Sequence, residues 1–224
     1  MMQQLVPEPD SHLEYPDSDG QPMADNTKQF RWIVMIKENL ERLFVSETDV
    51  FVAGDLLWYP VEGDSKCRQA PDVLVVFGRP KGDRGSYKQW QEAGIAPQVV
   101  FEILSPGNRS GEMLRKLNFY QLYGVEEYYL YDPDSNELTG LQRSGKALQL
   151  IADMQVWSSP RLGIRFQLTT DTLEIYRPDG ERFLTYVELA DQLSTERTQR
   201  AQAQQRIQTL EAKLRELGIN PESL

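Results

Sequence analysis

Apolar positions along the chain alternate between helical and strand-like spacing, and this pattern predicts a mixed α/β domain. A stripe with a period of ~3.6 residues covers 27–44 and predicts a first helix, opened by Asn26 or Thr27 as its cap. A second helical stripe lies between 104 and 127 and stops at Gly124. Short apolar or alternating runs predict strands at 50–53, 56–59, 73–77, 99–104, 128–131, 138–142 and 148–151. Helices interleaved with strands in this order predict a mixed sheet flanked by helices.

The carboxyl-terminal segment 186–224 differs in character and is rich in Gln, Glu, Arg, Ala and Leu. Its heptad positions are alternately three and four residues apart: Leu189, Leu193, Glu196, Arg200, Ala203, Ile207, Leu210, Leu214 and Leu217. Two of these positions are charged, so the seam is weak in its first half and apolar from Ala203 onward. The pattern favours a coiled-coil dimerisation helix, and the open alternative is an amphipathic helix that packs on its own domain.

The amino-terminal segment 1–26 predicts a flexible acidic leader, because it combines turn formers with charge and has no period. It contains six acids and no Lys or Arg, which accounts for most of the net charge of −10. The central domain is then expected at 27–185, where the charges nearly balance and a local basic groove is possible. No membrane-length apolar stretch or secretory signal is present, so a cytoplasmic protein without a membrane partner is expected.

The inventory of reactive side chains excludes several classes of enzyme. Cys67 is the only cysteine, so an intrachain disulfide and a cysteine-rich zinc site are both excluded. His12 is the only histidine and lies in the leader, which argues against histidine-based triads, zinc helices and nuclease sites. No phosphate-binding loop or organic cofactor motif is found. Chemistry must therefore depend on carboxylates, lysine, tyrosine, serine and a metal bound through oxygen.

Two acidic residues, Asp72 and Glu102, lie in apolar segments, where burial of a carboxylate is energetically unfavourable. Glu102 interrupts an apolar run whose strand is expected to be buried on both faces, and an unpaired buried carboxylate is expensive. Its partner is either a structural salt bridge or a functional metal ion or lysine. Asp72 begins a second apolar strand directly after Pro71, where a simple turn role is the alternative. Neighbouring strands lie ~5 Å apart, so Asp72 and Glu102 together predict a shared Mg²⁺ site.

The helix that follows the Glu102 strand supplies a lysine. Lys116 lies between Glu112 and Tyr120, each one turn away on the same face, and it can point back to the strand end. A lysine beside metal-held carboxylates can orient the attacking water and stabilise a pentavalent phosphate. The alternative is an ordinary surface lysine on an amphipathic helix.

A Gly-rich basic loop follows the Asp72 strand and is a candidate nucleic-acid contact. Residues 78–88 contain four bases and one acid, a composition suited to sequence-independent phosphate contacts or to stacking of Tyr87 and Trp90 on bases. A solvated exposed loop is the alternative. The expected DNA-contacting residues are Arg79, Lys81, Arg84, Lys88 and, after the Glu102 strand, Arg109.

Four strings carry a family resemblance: YPDSDGQPMADN, PDVLVVFG, VVFEILSPGNR and KLNFYQLYGVEEYYLYDP. They resemble the putative restriction endonuclease family of bacteria, a branch of the PD-(D/E)XK nuclease superfamily with the restriction-endonuclease-like fold. The resemblance spans about residues 15–170 and is most specific over 99–133. It implies a Mg²⁺-dependent site made of Asp72, Glu102 and Lys116. The superfamily pattern places its lysine two residues after the glutamate, where this chain has Leu104, and Lys116 is the natural substitute.

The resulting hypothesis is a metal-dependent DNA endonuclease that hydrolyses phosphodiesters with a metal-activated water. Asp72, Glu102 and the carbonyl of Ile103 are the expected Mg²⁺ ligands, with Mn²⁺ as a substitute, and Glu112 and Tyr120 support them. DNA is the expected partner, together with a second copy of the chain in a homodimer or higher homo-oligomer. The alternative is a catalytically weak or silent nuclease fold that serves as a binding or assembly module through its carboxyl-terminal helix.

Overall fold

The structure is a computed structural model that describes residues 14–18, 20, 22–107, 110–217 and 220. The chain divides into two compact units, Met1–Phe183 and Leu184–Leu224. The elements in chain order are α1 Thr27–Leu43, β1 Val50–Gly54, β2 Trp58–Tyr59, β3 Val73–Phe77, β4 Tyr87–Lys88, a 3₁₀ turn Gln89–Gln91, β5 Val99–Ile103, α2 Ser110–Tyr123, β6 Glu127–Asp132, β7 Glu137–Ser144, β8 Ala147–Leu150, β9 Arg165–Leu168, β10 Leu173–Tyr176 and α3 Tyr186–Glu216.

The first unit is built on a six-stranded mixed sheet in the order β1-β3-β5-β6-β7-β8. Only β5 and β6 pair in parallel, and the other neighbours in this sheet are antiparallel. A parallel pair needs a crossover connection, which α2 provides here. The predicted α/β class with a mixed sheet flanked by helices is confirmed. The pattern missed three short strands, β4, β9 and β10. Strand β4 pairs with β2 in one small sheet, and β9 pairs with β10 in another.

The sheet has an apolar cluster on each face. One cluster gathers α1 residues such as Ile33 and Leu40 with Phe101 of β5, and the other gathers Tyr120 of α2 with Val100 of β5. Every residue of β5 is buried, as expected for a strand whose run is apolar on both faces. The central strands β3 and β5 are therefore a rigid support for whatever lies at their ends.

Helix α1 begins as the sequence indicates, with Asn26 as its cap, since the Asn26 side chain accepts a hydrogen bond from the backbone N–H of Gln29. The described part of the leader contacts the rest of the unit. The Tyr15 ring lies 5.2 Å from that of Tyr59, and the Tyr59 hydroxyl donates to the carbonyl of Pro16 at 2.7 Å. The leader therefore contributes packed residues, and its predicted flexibility does not extend to Tyr15 and Pro16.

The second unit is the long helix α3. A capping box of Thr185 and Glu188 opens it, and Lys213 and Arg215 lie in its last turn. None of its residues is buried. The predicted helix is confirmed, whereas the coiled coil stays a prediction. Over the part of the chain that the structure describes, no helix is both long and apolar enough to cross a membrane.

Candidate active site

The antiparallel pairing of β3 and β5 brings the two predicted acids together. Val73 pairs with Phe101, so one further step in the same register sets Asp72 opposite Glu102. The Asp72 side chain is anchored to the neighbouring strand, because its Oδ2 accepts a hydrogen bond from the backbone N–H of Ile103, the residue after Glu102, at 2.6 Å. Both acids are buried, with 8% of Asp72 and 2% of Glu102 exposed. The site is thus fixed by the sheet itself and not by a loop.

The Glu102 carboxylate is held by two donors from α2. Lys116 donates from Nζ to Oε2 at 2.6 Å, and the Tyr120 hydroxyl donates to Oε1. Only 11% of the Lys116 side chain and 3% of the Glu102 side chain are exposed, so this is a buried ion pair. The partner of the costly acid is therefore the helix lysine, which points back to the strand end.

The four-residue spacing of Glu112, Lys116 and Tyr120 aligns all three on one face of α2. Glu112 is half-buried and, together with the acids of the strands, raises the pKa of Lys116. Burial opposes this shift by disfavouring the ammonium ion, but the surrounding carboxylates outweigh it. Lys116 is therefore held in its charged form beside Glu102.

Burial dominates the electrostatics of the two acids. It raises the pKa of Asp72 well above its usual value, and repulsion from Glu102 adds to the shift. Burial also raises the pKa of Glu102, against the opposing effect of Lys116 and Tyr120. Two acids and one lysine leave an excess of negative charge, which a cation bound between the acids would relieve.

The main-chain carbonyl of Ile103, the third expected metal ligand, lies at the end of the same strand. It accepts a hydrogen bond from Nε2 of Gln29 at 2.8 Å. Gln29 is buried on the first turn of α1, and its own Oε1 accepts from the N–H of Asp25 at 2.8 Å. Sequence reasoning missed Gln29, because a glutamine in the first turn of a helix carries no signal until the tertiary contact is known.

Asp55 is a second residue that the sequence did not single out. Its backbone N–H donates to the carbonyl of Asp72 at 3.2 Å, and its charge contributes to the raised pKa of Asp72. Asp55 follows β1 with a φ of 49°, a conformation that aspartate tolerates better than most residues. It therefore adds negative charge to the Asp72 side of the site.

The donor set fits a hard divalent cation such as Mg²⁺, which prefers oxygen ligands and retains several waters. No described residue donates a hydrogen bond to Oδ1 of Asp72, and a carbonyl such as that of Ile103 has two lone pairs, of which Gln29 uses one. The described residues contain no cluster of three or more His, Cys, Asp or Glu side chains able to hold a metal. A cation here would thus depend on two carboxylates, a carbonyl and water.

The basic loop lies away from these acids. Asp72 precedes β3 and the loop follows its other end, about five residues or ~17 Å along the strand. Arg79 and Arg84 both donate to Glu92 at 2.7 Å, so the single Glu92 carboxylate holds both guanidinium groups and balances half of their charge. The idea that Tyr87 stacks on bases is wrong, because Tyr87 is fully buried.

Two lysines of the same loop have looser partners. Lys81 is exposed and donates to the carbonyl of Phe44 at 2.6 Å, at the end of α1. The ammonium of Lys88 lies 5.5 Å from the centre of the Tyr15 ring. Arg109 lies outside the described residues. The expected DNA contacts of all five basic residues stay predictions.

Three further acids, Glu38, Glu41 and Asp132, lie in structural contacts. Glu38 and Glu41 on α1 both pair with Lys37, so neither reaches the Asp72 site. Asp132 accepts a hydrogen bond from the N–H of Asp134 at 2.8 Å, which is the turn role expected of an acid before a proline. The candidate site is therefore confined to the ends of β3 and β5 and the facing side of α2.

The first unit is thus an α/β domain whose mixed sheet holds two buried acids and a helix lysine together at one strand end. A family model described as "Uma2: Putative restriction endonuclease" matches residues 2–211, and the chain belongs to this family. The expected resemblance is thus confirmed, and the family supports a nuclease function. No curated protein matches the chain. Among solved structures, the chain is similar to a "putative nuclease belonging to DUF820 from Anabaena variabilis ATCC 29413", with 15% identity and a TM-score of 0.48 over 64% of this chain and 77% of that chain.

Proposed function

We propose that the protein is a Mg²⁺-dependent DNA endonuclease of the PD-(D/E)XK type. The observation that carries the proposal is the buried contact between Lys116 and Glu102, at 2.6 Å. Glu102 is the cross-strand neighbour of Asp72 in the register of β3 and β5. It reassembles the acid, acid and lysine set of that superfamily from three separate elements, with the lysine displaced onto a helix. Family membership supports the nuclease class, and the donor set supports the metal.

In this proposal Asp72, Glu102 and the carbonyl of Ile103 hold Mg²⁺, with Mn²⁺ as a substitute. When bound, the cation lowers the pKa of a coordinated water and neutralises charge on the scissile phosphate. Lys116 stabilises the negative charge that develops on the phosphate and orients the attacking water, at an ammonium already held in its charged form. Tyr120 fixes the second Glu102 oxygen, so the carboxylate cannot rotate away.

The reaction is direct attack of water in line with the leaving oxygen, without a covalent enzyme intermediate. The chain has no histidine outside the leader and one cysteine, and Cys67 contacts the Tyr123 hydroxyl at 3.0 Å, away from the acids. The Ser105 hydroxyl donates to the carboxylate of Asp25 at the strand end, a contact that ties the segment before α1 to the end of β5. Water is therefore the nucleophile that the site supports.

The proposal is tested by relaxation of supercoiled plasmid at low salt, with Mg²⁺, with Mn²⁺ and with a chelator. Low salt keeps weak phosphate contacts from being screened. We expect metal-dependent nicking by the wild type and its loss in Asp72→Asn and Lys116→Met. Nicking that persists in the chelator would refute the metal site, and folded protein without nicking under any of these conditions would refute the nuclease.

A second candidate function, an assembly module, is favoured by α3. None of the residues of this 31-residue helix is buried. Ile207 and Leu210, together with Leu217 directly after the helix, lie along one seam and are each more than half exposed. In a parallel pair of such helices, Arg206 of one chain would face Glu211 of its partner across the seam, a complementary pair of charges. We propose that α3 joins two copies of the chain, whether or not the nuclease site is active.

A further inference from the structure

An apolar groove of about 620 Å³ opens beside the candidate active site and is not used by the chemistry proposed above. It lies between α2 and the strands β6, β7 and β8 of the large sheet. Its walls comprise Leu104, Pro106, Met113, Leu114, Leu117 and Leu150. Leu114 and Leu150 are 60% and 72% exposed. Contact of such apolar side chains with water is unfavourable, and exposed apolar patches often mark binding sites.

The groove is continuous with the site. Leu104 directly follows Glu102 and Ile103 on β5, and Leu117 is adjacent to Lys116 on α2. Deeper in the same wall, the ring of Tyr128 lies 5.1 Å from that of Tyr120, whose hydroxyl holds Glu102. A substrate with its reacting phosphate at the acids would therefore lay its neighbouring atoms in this groove.

A polar atom in the wall points to a ligand. The Tyr128 hydroxyl is buried and has no hydrogen-bond partner within the described part of the chain. Only 2% of the residue is exposed to solvent. Buried hydroxyls are almost always bonded, because an unpaired one loses its hydration without compensation. The groove thus combines apolar walls and a few small polar residues, Ser105, Ser110 and Thr139, with one buried tyrosine hydroxyl that is left to be satisfied.

The charge of the lining decides which part of a substrate fits. The groove residues include one charged side chain, Asp132, and no lysine or arginine. A phosphate would find no counter-charge there, whereas the flat uncharged surface of a nucleobase is suited to leucine walls with a few hydroxyl groups. The volume lies within the range of small-molecule sites, about 300–1,000 Å³.

We infer that this groove is a nucleoside pocket, which takes the base and sugar next to the scissile phosphate, with Tyr128 as the hydrogen-bonding partner of the base. The inference rests on the proposed nuclease function and adds how the substrate is held. A base can reach the pocket only when it is unstacked from its neighbours. The pocket therefore favours single-stranded, mismatched or locally opened DNA over a perfect duplex.

Two matched leucines of α2 test the pocket. Leu114 lies in the groove wall, and Leu122, on the same helix and 73% exposed, lies outside it. Because both side chains are exposed, Leu114→Asp and Leu122→Asp should fold equally well and carry the same added charge. A third variant, Tyr128→Phe, removes the unpaired hydroxyl and should melt no lower than the wild type, which a bonded structural hydroxyl would not permit.

The measurement is fluorescence anisotropy of short single-stranded DNA in Ca²⁺, comparing a complete strand with a series in which each position in turn is abasic. In the wild type, we expect one position whose abasic form binds about tenfold more weakly, since a buried base contributes on the order of 1–3 kcal/mol. Leu114→Asp should remove that difference, Tyr128→Phe should reduce it, and Leu122→Asp should preserve it. No position-specific loss in the wild type, or a loss that survives Leu114→Asp, would overturn the pocket.

A second arm separates this inference from the nuclease proposal. Saturation-transfer NMR with free thymidine and deoxyadenosine requires neither metal nor cleavage, and both should bind the wild type and not Leu114→Asp. Nucleoside binding by a protein that cuts no DNA would sustain the pocket and refute the nuclease. Cleavage of DNA without nucleoside binding and without sensitivity to abasic positions would sustain the nuclease and refute the pocket. A Leu114→Asp variant that changes only the oligomeric state would assign the groove to a second copy and overturn the inference.

Discussion

Lys116 and Glu102 form a buried ion pair across 14 residues of sequence, with Nζ and Oε2 2.6 Å apart. In the PD-(D/E)XK pattern that we propose for this site, the lysine stands on the strand, two residues after the glutamate, and in this chain that position is Leu104. Helix α2 places the Lys116 ammonium in contact with the same carboxylate. A displaced lysine therefore leaves the charge of the site intact, although it changes which element must hold its shape.

The first prediction concerns metal binding by the folded protein. Mg²⁺ should raise the melting temperature, because a ligand that binds only the native state stabilises by about 2.7 kcal/mol at a hundred times its dissociation constant. For a chain of this length that corresponds to a rise of roughly 5–10 °C. Differential scanning calorimetry with Mg²⁺, Mn²⁺ and no metal measures the shift.

The control for metal binding is Asp72→Asn, which keeps the shape of the side chain and removes one anionic ligand. Its melting temperature should not respond to Mg²⁺. Without metal, it should be at least as stable as the wild type, since burial and Glu102 already raise the Asp72 pKa and disfavour its charged form. An equal Mg²⁺ shift in the two proteins would place the cation elsewhere.

The second prediction concerns Gln29 as a positioning residue for the Ile103 carbonyl. Gln29→Leu removes the 2.8 Å hydrogen bond to that carbonyl and should weaken Mg²⁺ binding about 10-fold or more, as loss of a ligand-orienting contact typically does. Titration calorimetry with Mg²⁺ gives the affinity separately from stability.

Asn39→Leu is the matched control for Gln29. Asn39 is also a buried amide on α1, and its Nδ2 donates to the carbonyl of Met35 within the helix. This control should lose stability and retain its Mg²⁺ affinity. If both variants bind Mg²⁺ as the wild type does, the Ile103 carbonyl is not positioned by Gln29.

The third prediction separates the bases of the Gly-rich loop by their partners. Arg79 and Arg84 share Glu92, so their replacement should mainly destabilise the fold. Replacing Lys81 and Lys88 together by Gln should instead lower the salt dependence of DNA binding by up to about two units of slope. Lys146→Gln, in the exposed turn after β7, is the control and should leave the slope unchanged. A double variant with the wild-type slope would remove the loop from the DNA surface.

The fourth prediction concerns self-association through α3. Leu210→Asp places a charge in the apolar part of the seam and should convert a dimer to monomers, as measured by sedimentation equilibrium. Gln208→Asp adds the same charge outside the seam on the same helix and should leave the dimer intact. A wild type that is monomeric at all concentrations would contradict the coiled coil.

Much of the central sheet could be predicted because burial on both faces leaves a visible mark. β3 and β5 are continuous apolar runs, and Glu102 stood out because it interrupts one of them. The first helix was expected over 27–44 and is Thr27–Leu43, with Asn26 as its cap. By contrast, β9 and β10 are four-residue strands with alternating polar positions, which local pattern does not distinguish from loop.

The site was only partly predictable, because some contacts exist only after folding. Gln29 donates to the carbonyl of Ile103, which is 74 residues away in the sequence. Nothing in the sequence around Gln29 indicates this contact. Arg79 and Arg84 both donate to Glu92, a pairing that the local composition of the loop does not indicate. Glu127 is a third buried acid, on β6, that the sequence did not reveal, and it accepts hydrogen bonds from Tyr129 and Ser159.

Glu127 supplies the control for the central claim. Glu102 and Glu127 lie on the neighbouring strands β5 and β6 and are almost equally buried, at 2% and 1% exposed. Glu127 belongs to a network of neutral donors that includes the backbone N–H of Arg161 at 2.9 Å, and no lysine contacts it among the described residues. Glu127→Gln therefore reproduces the loss of a buried carboxylate without touching the proposed site.

The most direct test is the rate of plasmid nicking in Mg²⁺ by wild type, Glu102→Gln and Glu127→Gln, each shown to be folded by circular dichroism at the assay temperature. The account predicts that Glu102→Gln lowers the rate by at least ~10²-fold, since it removes both a metal ligand and the partner of Lys116. Glu127→Gln should lower the melting temperature and retain the rate within a few-fold. Equal rates for Glu102→Gln and the wild type would contradict the account.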